Sequence, residues 1–185
     1  MTTTTTEPVD TWEMVLVHRV FRREFRLLPG LVRGVTPGDT TRAEAIGDHL
    51  SNLAGALHHH HTAEDELLWP KLLERAAMHA DLIHRMEAQH DRLHEPLDRI
   101  SVLNPRWRAT ASATDRDELA DVIAQASVAL DEHLADEEAE ILPLVSEFLT
   151  HEEWDALGRR GQESIPKNRL ALVFLGSIFE EATPD

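Results

Sequence analysis

Two histidine-containing acidic segments of the chain share one pattern of residues. The first, His58–Pro70, reads HHHHTAEDELLWP, and the second, Asp131–Pro143, reads DEHLADEEAEILP. When their prolines are superimposed, the segments align at a constant offset of 73 positions. A histidine followed four residues later by a glutamate places both side chains on one helix face, one turn apart. The corresponding residues are His60 with His133, Glu64 with Glu137, and Pro70 with Pro143. This repeat predicts a metal site built from two related halves.

The elements that must position these residues are amphipathic helices. Apolar residues recur at alternating steps of three and four, which is typical of a helix facing a bundle interior. We predict four long helices, over about 10–28, 40–70, 81–102 and 115–149, followed by a short helix that Thr150 and Glu153 cap and a last one over 167–181. Short connections favour antiparallel neighbours. The predicted fold is therefore all-α, an up-down-up-down four-helix bundle with a C-terminal helical extension.

The helix boundaries rest on capping residues and prolines. Asp10 and Glu13 are predicted to cap the first helix, which Pro29-Gly30 ends. Asp39 or Thr40 caps the second helix, and Pro70 kinks or ends it. Thr114 is predicted to cap the fourth helix after a polar linker over 104–114. We divide the chain into a disordered tail over 1–9, a bundle over 10–150 and a helical extension over 151–185 that packs on the bundle.

Several polar residues interrupt the apolar stripes of the four predicted helices. They are His18, His60, Glu64, His90, His133 and Glu137, with His94 flanking the stripe one turn after His90. A buried carboxylate is costly unless it is paired or bound to a metal. A lone inward histidine is more often a hydrogen-bonded core residue, but the conjunction of these positions favours a metal site. Histidine and carboxylate donors without sulfur suit iron, manganese or zinc.

The remaining histidines are not predicted to be metal ligands. His58 and His59 lie off the stripe and are predicted to be solvated. His61 lies beside it, where a supporting role around the ligands stays open. The others are interpreted as ordinary surface residues: His49, His79, His84 and His151. Glu138 is an alternative to Glu137 as the ligand of the second half.

Composition excludes several classes of function. The net charge of −16 argues against nucleic acid and anionic membranes as partners, since both require a basic surface. The chain has no cysteine, which excludes disulfides and thiolate metal sites, and no tyrosine, which excludes a phenolate ligand. Its start lacks the features of a signal peptide, and the apolar run at 170–175 is too short to span a bilayer. We expect a cytoplasmic protein.

These motifs resemble the hemerythrin-like family, the HHE cation-binding domain, over about residues 10–150. The matching features are His18, His60-x-x-x-Glu64 before Pro70, MEAQHDRLH (Met86–His94), and His133-x-x-x-Glu137 before Pro143. The resemblance implies a non-haem di-iron centre with two bridging carboxylates, manganese or zinc being less expected. The implied metal ligands are His18, His60, Glu64, His90, His94, His133 and Glu137. Hemerythrins proper place the last carboxylate where this chain has Glu138, whereas many HHE domains use the position of Glu137.

The implied ligand set suggests a chemistry. Two six-coordinate irons offer about twelve positions, and five histidines, two bridging glutamates and an oxo or hydroxo bridge fill all but one. An open position suits a small diatomic ligand or a peroxide. The first hypothesis is a protein that binds or senses dioxygen, nitric oxide or iron. The alternative is a redox enzyme acting on peroxide or another oxygen species. A third is a structural metal that only holds the bundle.

Overall fold

The computed structural model describes residues 7–163, 176 and 180–182, and every regular element in this part of the chain is helical. The α-helices are α1 (Trp12–Arg33), α2 (Thr40–Leu67), α3 (Trp69–Arg75), α4 (Ala80–Thr110), α5 (Ala113–Asp136), α6 (Leu142–Phe148) and α7 (His151–Gln162). A 3₁₀ turn, Ala77–His79, precedes α4, and a π-helical turn, Glu137–Ile141, joins α5 to α6.

The four long helices close into a bundle. Helix α1 packs on α2 and α5, and α4 packs on the same two neighbours. The connections within the pairs are short, since residues 34–39 link α1 to α2 and residues 111–112 link α4 to α5. The short helix α3 lies against α4 and α6, and α7 lies against α2. The predicted all-α helical bundle with a helical extension is confirmed.

The core consists of two apolar clusters at different heights of the bundle. The first cluster includes Phe21, Leu57, Leu93 and Leu130. The second includes Met14, Leu68, Met86 and Ile141. On each long helix the polar residues singled out from the sequence, His94 excepted, lie between a member of one cluster and a member of the other. The candidate site is therefore a polar layer enclosed by apolar layers on both sides.

Two helices extend beyond their predicted ends, through prolines. Helix α1 continues past Pro29 to Arg33, and α4 continues past Pro96 and Pro105 to Thr110. The predicted stops, and the polar linker over 104–114, are wrong. A proline within a helix costs about 3 kcal/mol, but Trp107, which is fully buried, packs into the first apolar cluster and offsets this cost. The helix ends at Ala111, where φ is 49°.

Two of the four predicted caps are found, whereas the first helix begins after Thr11, without a side-chain cap bond, rather than after Asp10. The side chain of Asp39 accepts a hydrogen bond from the backbone N–H of Arg42 at 3.0 Å, and Thr150 with Glu153 forms a capping box. Helix α5 is capped by Ser112 instead of the predicted Thr114. The side chain of Ser112 adopts this role because its backbone is extended, whereas Thr114 already lies within the helix.

Two terminal predictions fall partly outside the described residues. Residues 1–6 of the predicted tail and most of the predicted helix over 167–181 lie outside them. Val9 is buried in the second cluster, and its carbonyl accepts a hydrogen bond from Ser146 Oγ at 2.8 Å. Among the helices of the described ranges, none is long and apolar enough to cross a lipid bilayer.

Candidate metal centre

Seven buried or nearly buried side chains converge in the polar layer and form two groups. In each group one donor atom per residue lies within 4.8 Å of all the others. The first group consists of His61, Glu64, His90 and His133, and the second consists of His18, His60, Glu64 and Glu137. All four long helices contribute, counting the π-helical turn with α5. Six of the seven residues predicted from the sequence are brought together here.

Glu64 belongs to both groups because its two oxygens face in different directions. Its Oε1 lies 3.1 Å from His60 Nε2, and its Oε2 lies 3.4 Å from His90 Nε2. A carboxylate between two imidazole sets can act as a ligand to two cations at once. This is the geometry expected of a bridging carboxylate.

Glu137 also connects the two histidine sets, from the opposite side of the bundle. Its Oε2 lies 3.4 Å from His18 Nε2 and 3.6 Å from His133 Nε2. The two carboxylates therefore lie between a pair of histidines, His18 and His60, and a set of three on the other side. The donor set is consequently unequal, three imidazoles against two.

Both carboxylates are fully buried and lack hydrogen-bond partners. Glu64 and Glu137 have no exposed surface, and both oxygens of each lack a hydrogen bond within the described structure. The same is true of Nε2 of His18, His60 and His61. A buried polar atom without a partner costs about 1–3 kcal/mol, and a carboxylate more. Imidazole and carboxylate donors left unsatisfied around a common centre fit metal ions, which would supply the missing partners.

Without metal, burial keeps most of these groups in their neutral forms. It raises the pKa of Glu64, and burial followed by the charge of Glu64 raises the pKa of Glu137 to about 8. Burial, followed by repulsion from neighbouring histidines, lowers the pKa of His133 to about 2 and the pKa of His61 well below its ordinary value. Neutral imidazoles are the form that binds metal. Metal binding must displace a proton from Glu137, so affinity rises with pH.

His90 is the exception among the buried histidines. Burial by itself lowers its pKa, but the hydrogen bond with Asp65 and the nearby carboxylate of Glu64 outweigh that effect and raise the pKa to about 9. Its Nδ1 donates to Asp65 Oδ1 at 2.8 Å, and the same oxygen accepts from Trp69 Nε1 at 2.9 Å. Asp65 thereby fixes the ring so that Nε2 faces Glu64.

Two further histidines are oriented in the same way from outside the site. His18 Nδ1 donates to Glu138 Oε1 at 3.0 Å, and Arg22 donates to the same oxygen at 2.6 Å. His133 Nδ1 lies 3.2 Å from Gln89 Oε1. Partners of this kind hold the tautomer and the ring orientation of metal-binding histidines. Glu138, the alternative ligand that the sequence left open, occupies this outer position beside His18, whereas Glu137 faces the interior.

The π-helical turn at Glu137 has a local cause in Pro143. Proline has no backbone N–H and its ring crowds the carbonyl four residues earlier, so a regular helix cannot continue unchanged through residue 139. The helical hydrogen bond here spans five residues instead of four, so that Leu142 N–H donates to the carbonyl of Glu137. At the equivalent Pro70 the helix breaks at Leu68.

The structure does not bring His94 to either group. Its side chain is 50% exposed, and Nδ1 lies 3.8 Å from Asp91. From His90, four residues along α4 turn a side chain by about 40° and move it about 6 Å along the axis. At that height the bundle interior is filled by the first apolar cluster.

His61 was singled out only for a supporting role, yet it lies within the first group. It is 2% exposed, and its ring stacks on His90 with a centroid distance of 4.1 Å. A straight helix drifts by about 20° per heptad relative to a 3.5-residue stripe, so the inward face of the long helix α2 has moved toward His61 by this point. In the sequence, the signal for His61 as a donor is its place in the unbroken run of four histidines.

Four other histidines lie outside the site, as the sequence predicts. His58 and His59 are exposed. His49 pairs with Glu24 at 2.7 Å, and His84 pairs with Glu87 at the same distance. None of these four belongs to the two donor groups.

Comparison with known proteins supports the metal-binding interpretation. Residues 9–145 match the family model of the hemerythrin HHE cation binding domain. The match spans most of the chain and all seven donor residues, so the chain belongs to this family of cation-binding four-helix bundles. Comparisons with curated proteins and with solved structures found no match.

Proposed function

We propose that the buried site binds two iron ions and that the reduced centre binds or senses dioxygen or nitric oxide. The observation that carries this proposal is the shared position of Glu64, whose two oxygens face two separate histidine sets. Glu137, from the other side of the bundle, has a single oxygen, Oε2, near a histidine of each set. A single ion would not require donors that face two centres.

The unequal histidine sets suggest where an exogenous ligand binds. Three imidazoles, two carboxylate oxygens and an oxo or hydroxo bridge complete about six positions around one ion. The ion beside His18 and His60 would have one position fewer filled. A reduced di-iron centre with one open position supplies reversible binding of a small diatomic molecule. His61 takes the fifth imidazole place that the sequence assigned to His94, so the count of ligands is unchanged.

The surrounding residues favour binding over turnover. The donor groups lie between apolar layers, and Phe21 packs against His60 with a ring-centroid distance of 5.4 Å. This enclosure excludes bulk water, and only small molecules can reach the ions. The carboxylates Asp65 and Glu138 hold their histidines through Nδ1, which keeps Nε2 directed at the site.

We also propose that the protein acts in the cytoplasm, on a small-molecule partner and without nucleic acid or membrane. The net charge of −16 supports this, since it disfavours association with polyanions and anionic lipids.

Metal content and the visible spectrum of protein purified in air test the proposal. We expect about two irons per chain and an absorption of the oxidised centre that bleaches on reduction and changes again with nitric oxide. One zinc per chain, or no metal after supplementation with iron, would contradict it.

A peroxide assay separates binding from enzymatic turnover. For a binding protein we expect the iron-loaded chain to disproportionate peroxide no faster than the same concentration of free iron. Faster turnover would favour the enzyme. An iron centre whose spectrum is unchanged by oxygen, peroxide and nitric oxide would instead indicate a structural metal.

A further inference from the structure

The carboxylate that orients His90 also holds a buried tryptophan. Asp65 Oδ1 accepts a hydrogen bond from His90 Nδ1 at 2.8 Å and another from Trp69 Nε1 at 2.9 Å. The indole and imidazole rings also lie against each other, with centroids 5.6 Å apart and planes inclined by 52°. Trp69 is 1% exposed. An indole shielded from water is therefore joined to a donor imidazole of the site, both through a shared acceptor and through ring contact.

The break between α2 and α3 keeps Trp69 close to Asp65. Helix α2 ends at Leu67, and α3 begins at Trp69, immediately before Pro70. At the break, Leu68 retains dihedral angles of the right-handed helical region, with φ −100° and ψ −60°. Trp69 thus stays about one turn from Asp65 on the same face, and its Nε1 reaches the carboxylate.

The two halves of the repeat differ at this second donor. At the offset of 73 positions, Asp65 corresponds to Glu138 and Trp69 corresponds to Leu142. Glu138 accepts instead from Arg22, at 2.6 Å. The carboxylate is therefore held by an indole in one half and by a guanidinium in the other. Of these two groups, the indole is the one that can give up an electron.

The chain has few other side chains that are easily oxidised by one electron. It contains four tryptophans and neither tyrosine nor cysteine. Trp12 is 46% exposed, and Trp154 of α7 packs at the edge of the second apolar cluster. Trp107 lies about 25 Å from His90 along α4. Among the residues that the structure describes, Trp69 is the tryptophan whose ring contacts a histidine of the donor groups.

We propose that Trp69 is a one-electron donor to the buried iron centre, and that it completes the reduction of a peroxide that meets only one ferrous ion there. The inference rests on the proposed function, because it requires two redox-active ions in the site. It adds to the binding of a small ligand a protection against partial reduction of peroxide.

The step balances in electrons and atoms. Reduction of hydrogen peroxide to two hydroxide ions takes two electrons. When the site holds one ferrous and one ferric ion, one electron comes from the ferrous ion, which becomes ferric. The second leaves the indole ring of Trp69, which becomes a radical cation and keeps its N–H. Asp65 accepts that N–H, and its negative charge stabilises the radical cation. Without the second electron, peroxide would be split into a hydroxide ion and a hydroxyl radical.

Electron paramagnetic resonance of the freeze-quenched full chain tests the donor. Iron-loaded protein with one ferrous ion per site is mixed with an equimolar amount of hydrogen peroxide. We expect a free-radical signal whose hyperfine splitting narrows when the tryptophans are ring-deuterated. Trp69→Phe should lose this signal and Trp107→Phe should keep it. An undiminished signal in Trp69→Phe, or none in the unchanged chain, would overturn the proposal.

Trp107 is the matched control for Trp69. It is also a fully buried indole, but its Nε1 has no hydrogen-bond partner among the described residues. Both variants remove an indole from an apolar cluster, so the loss of packing is comparable. A difference between them in the radical signal therefore reports the position of Trp69 beside the site.

Spin trapping of hydroxyl radical measures the consequence of the step. Trp69→Phe should release several-fold more hydroxyl radical per peroxide consumed than Trp107→Phe and the unchanged chain, and equal release would contradict the proposal. Should Trp69→Phe fail to fold, peptide mass spectrometry of the unchanged chain after repeated peroxide addition decides. We expect oxygen addition at Trp69 and not at Trp107, and the reverse would overturn the proposal.

The same experiments separate this inference from the proposed function. A chain that retains no redox-active iron would contradict both. Iron that peroxide oxidises without a radical at Trp69 would contradict the electron-donor role alone.

Discussion

At the scale of single residues, Glu64 and Glu137 carry the main free-energy cost of burying polar groups in the site. Each is fully buried without a hydrogen bond to either oxygen, and the pKa of each is raised because burial penalises its charge. These carboxylates are unfavourable in the metal-free bundle and become favourable only beside a cation. Local destabilisation of this kind is typical of a functional site.

The first prediction distinguishes His61 from His94. We expect His61→Ala to lower the affinity for the buried ions by at least tenfold, because an imidazole of the first donor group is removed. His94→Ala should leave the final content of the buried ions unchanged, since this side chain lies outside both groups. Metal analysis after dialysis against a weak chelator measures both. Loss of the ions in His94→Ala alone would mean that the ligand set of the sequence prediction was right.

The second prediction concerns Asp65, which orients His90. Asp65→Asn removes the charged acceptor of the His90 Nδ1–H, and we expect metal affinity to fall about 10–100-fold with little change in fold. Asp121→Asn is the matched control. Asp121 lies on α5 and forms a surface ion pair with Arg33 of α1, so this change removes the same charge away from the site. Competition with a chromophoric chelator gives the dissociation constants. Equal affinities in the two variants would show that Asp65 acts only through overall charge.

At the scale of helices, contact between α2 and α4 depends on Gly47. A Cβ at this position would lie 2.5 Å from Arg108 Cδ and 2.6 Å from Asn104 Oδ1, whereas a Cβ at Gly55 on the same helix would meet nothing within 4 Å. Asn104 is buried and donates to the carbonyl of Gly47, so it cannot withdraw without losing that bond. The absence of a side chain at residue 47 thus permits the close approach of α2 and α4 at this level of the bundle.

The third prediction compares alanine at these two glycines. Gly55→Ala should raise the free energy of unfolding by about 0.5–1 kcal/mol, or Tm by about 2–3 °C, because alanine favours the helix. Gly47→Ala should lower Tm, since the clash outweighs the same helical gain. Thermal melts of metal-free protein measure both. A rise in Tm for both variants would mean that Arg108 and Asn104 move away at little cost.

The fourth prediction concerns the link between α3 and α7. Arg75 forms two hydrogen bonds of 2.7 Å with Glu153 and, with the cap at Thr150, lowers the pKa of Glu153 to about 2 from an ordinary value near 4.5. Because the folded-state pKa is depressed, the stabilisation is present above about pH 4.5 and is lost as the pH falls toward 2.

The glutamine variant measures that stabilisation. Glu153→Gln keeps a residue that can complete the capping box but removes the charge, so we expect Tm to fall by about 1–3 °C at neutral pH. The difference from the unchanged protein should vanish near pH 2. Glu152→Gln, an exposed position in the same helical turn, is the control. A difference that persists at low pH would indicate lost packing rather than a lost ion pair.

At the scale of the whole molecule, the polar layer separates two apolar clusters that each span several helices. The first cluster draws on α1, α2, α4 and α5, and the second draws on α1, α2, α3, α4, α6, α7 and the π-helical turn. Because the residues of both clusters are apolar and none of them is a metal donor, we expect the bundle to remain helical when the site is empty. Metal then adds stability by binding the folded state only.

The fifth prediction is that metal removal lowers stability without unfolding the chain. Metal at about 100 times its dissociation constant adds about 2.7 kcal/mol, so we expect chelation to lower Tm by about 5–10 °C. Far-UV circular dichroism at 25 °C should be nearly unchanged. Differential scanning calorimetry with and without chelator measures the shift. Loss of helical signal on chelation would show instead that the metal is required for folding.

The sequence by itself determined the helical class, the family and six of the seven converging donors. These followed from local physics, because apolar periodicity defines the inward face of a helix and four-residue spacing places histidine and glutamate together on it. The caps at Asp39 and Thr150 were readable for the same reason, since they depend on residues within one turn. The internal repeat added that the two pairs should face each other.

Only the tertiary structure decided that His61, and not His94, joins the donors. The choice depends on the accumulated rotation of a 28-residue helix and on which height of the bundle the apolar clusters fill, and neither is a property of neighbouring residues. The same holds for α4, whose passage through Pro105 depends on the burial of Trp107 against other helices. The division of the five histidines into a set of three and a set of two around Glu64 arises because four helices of fixed register meet at one layer.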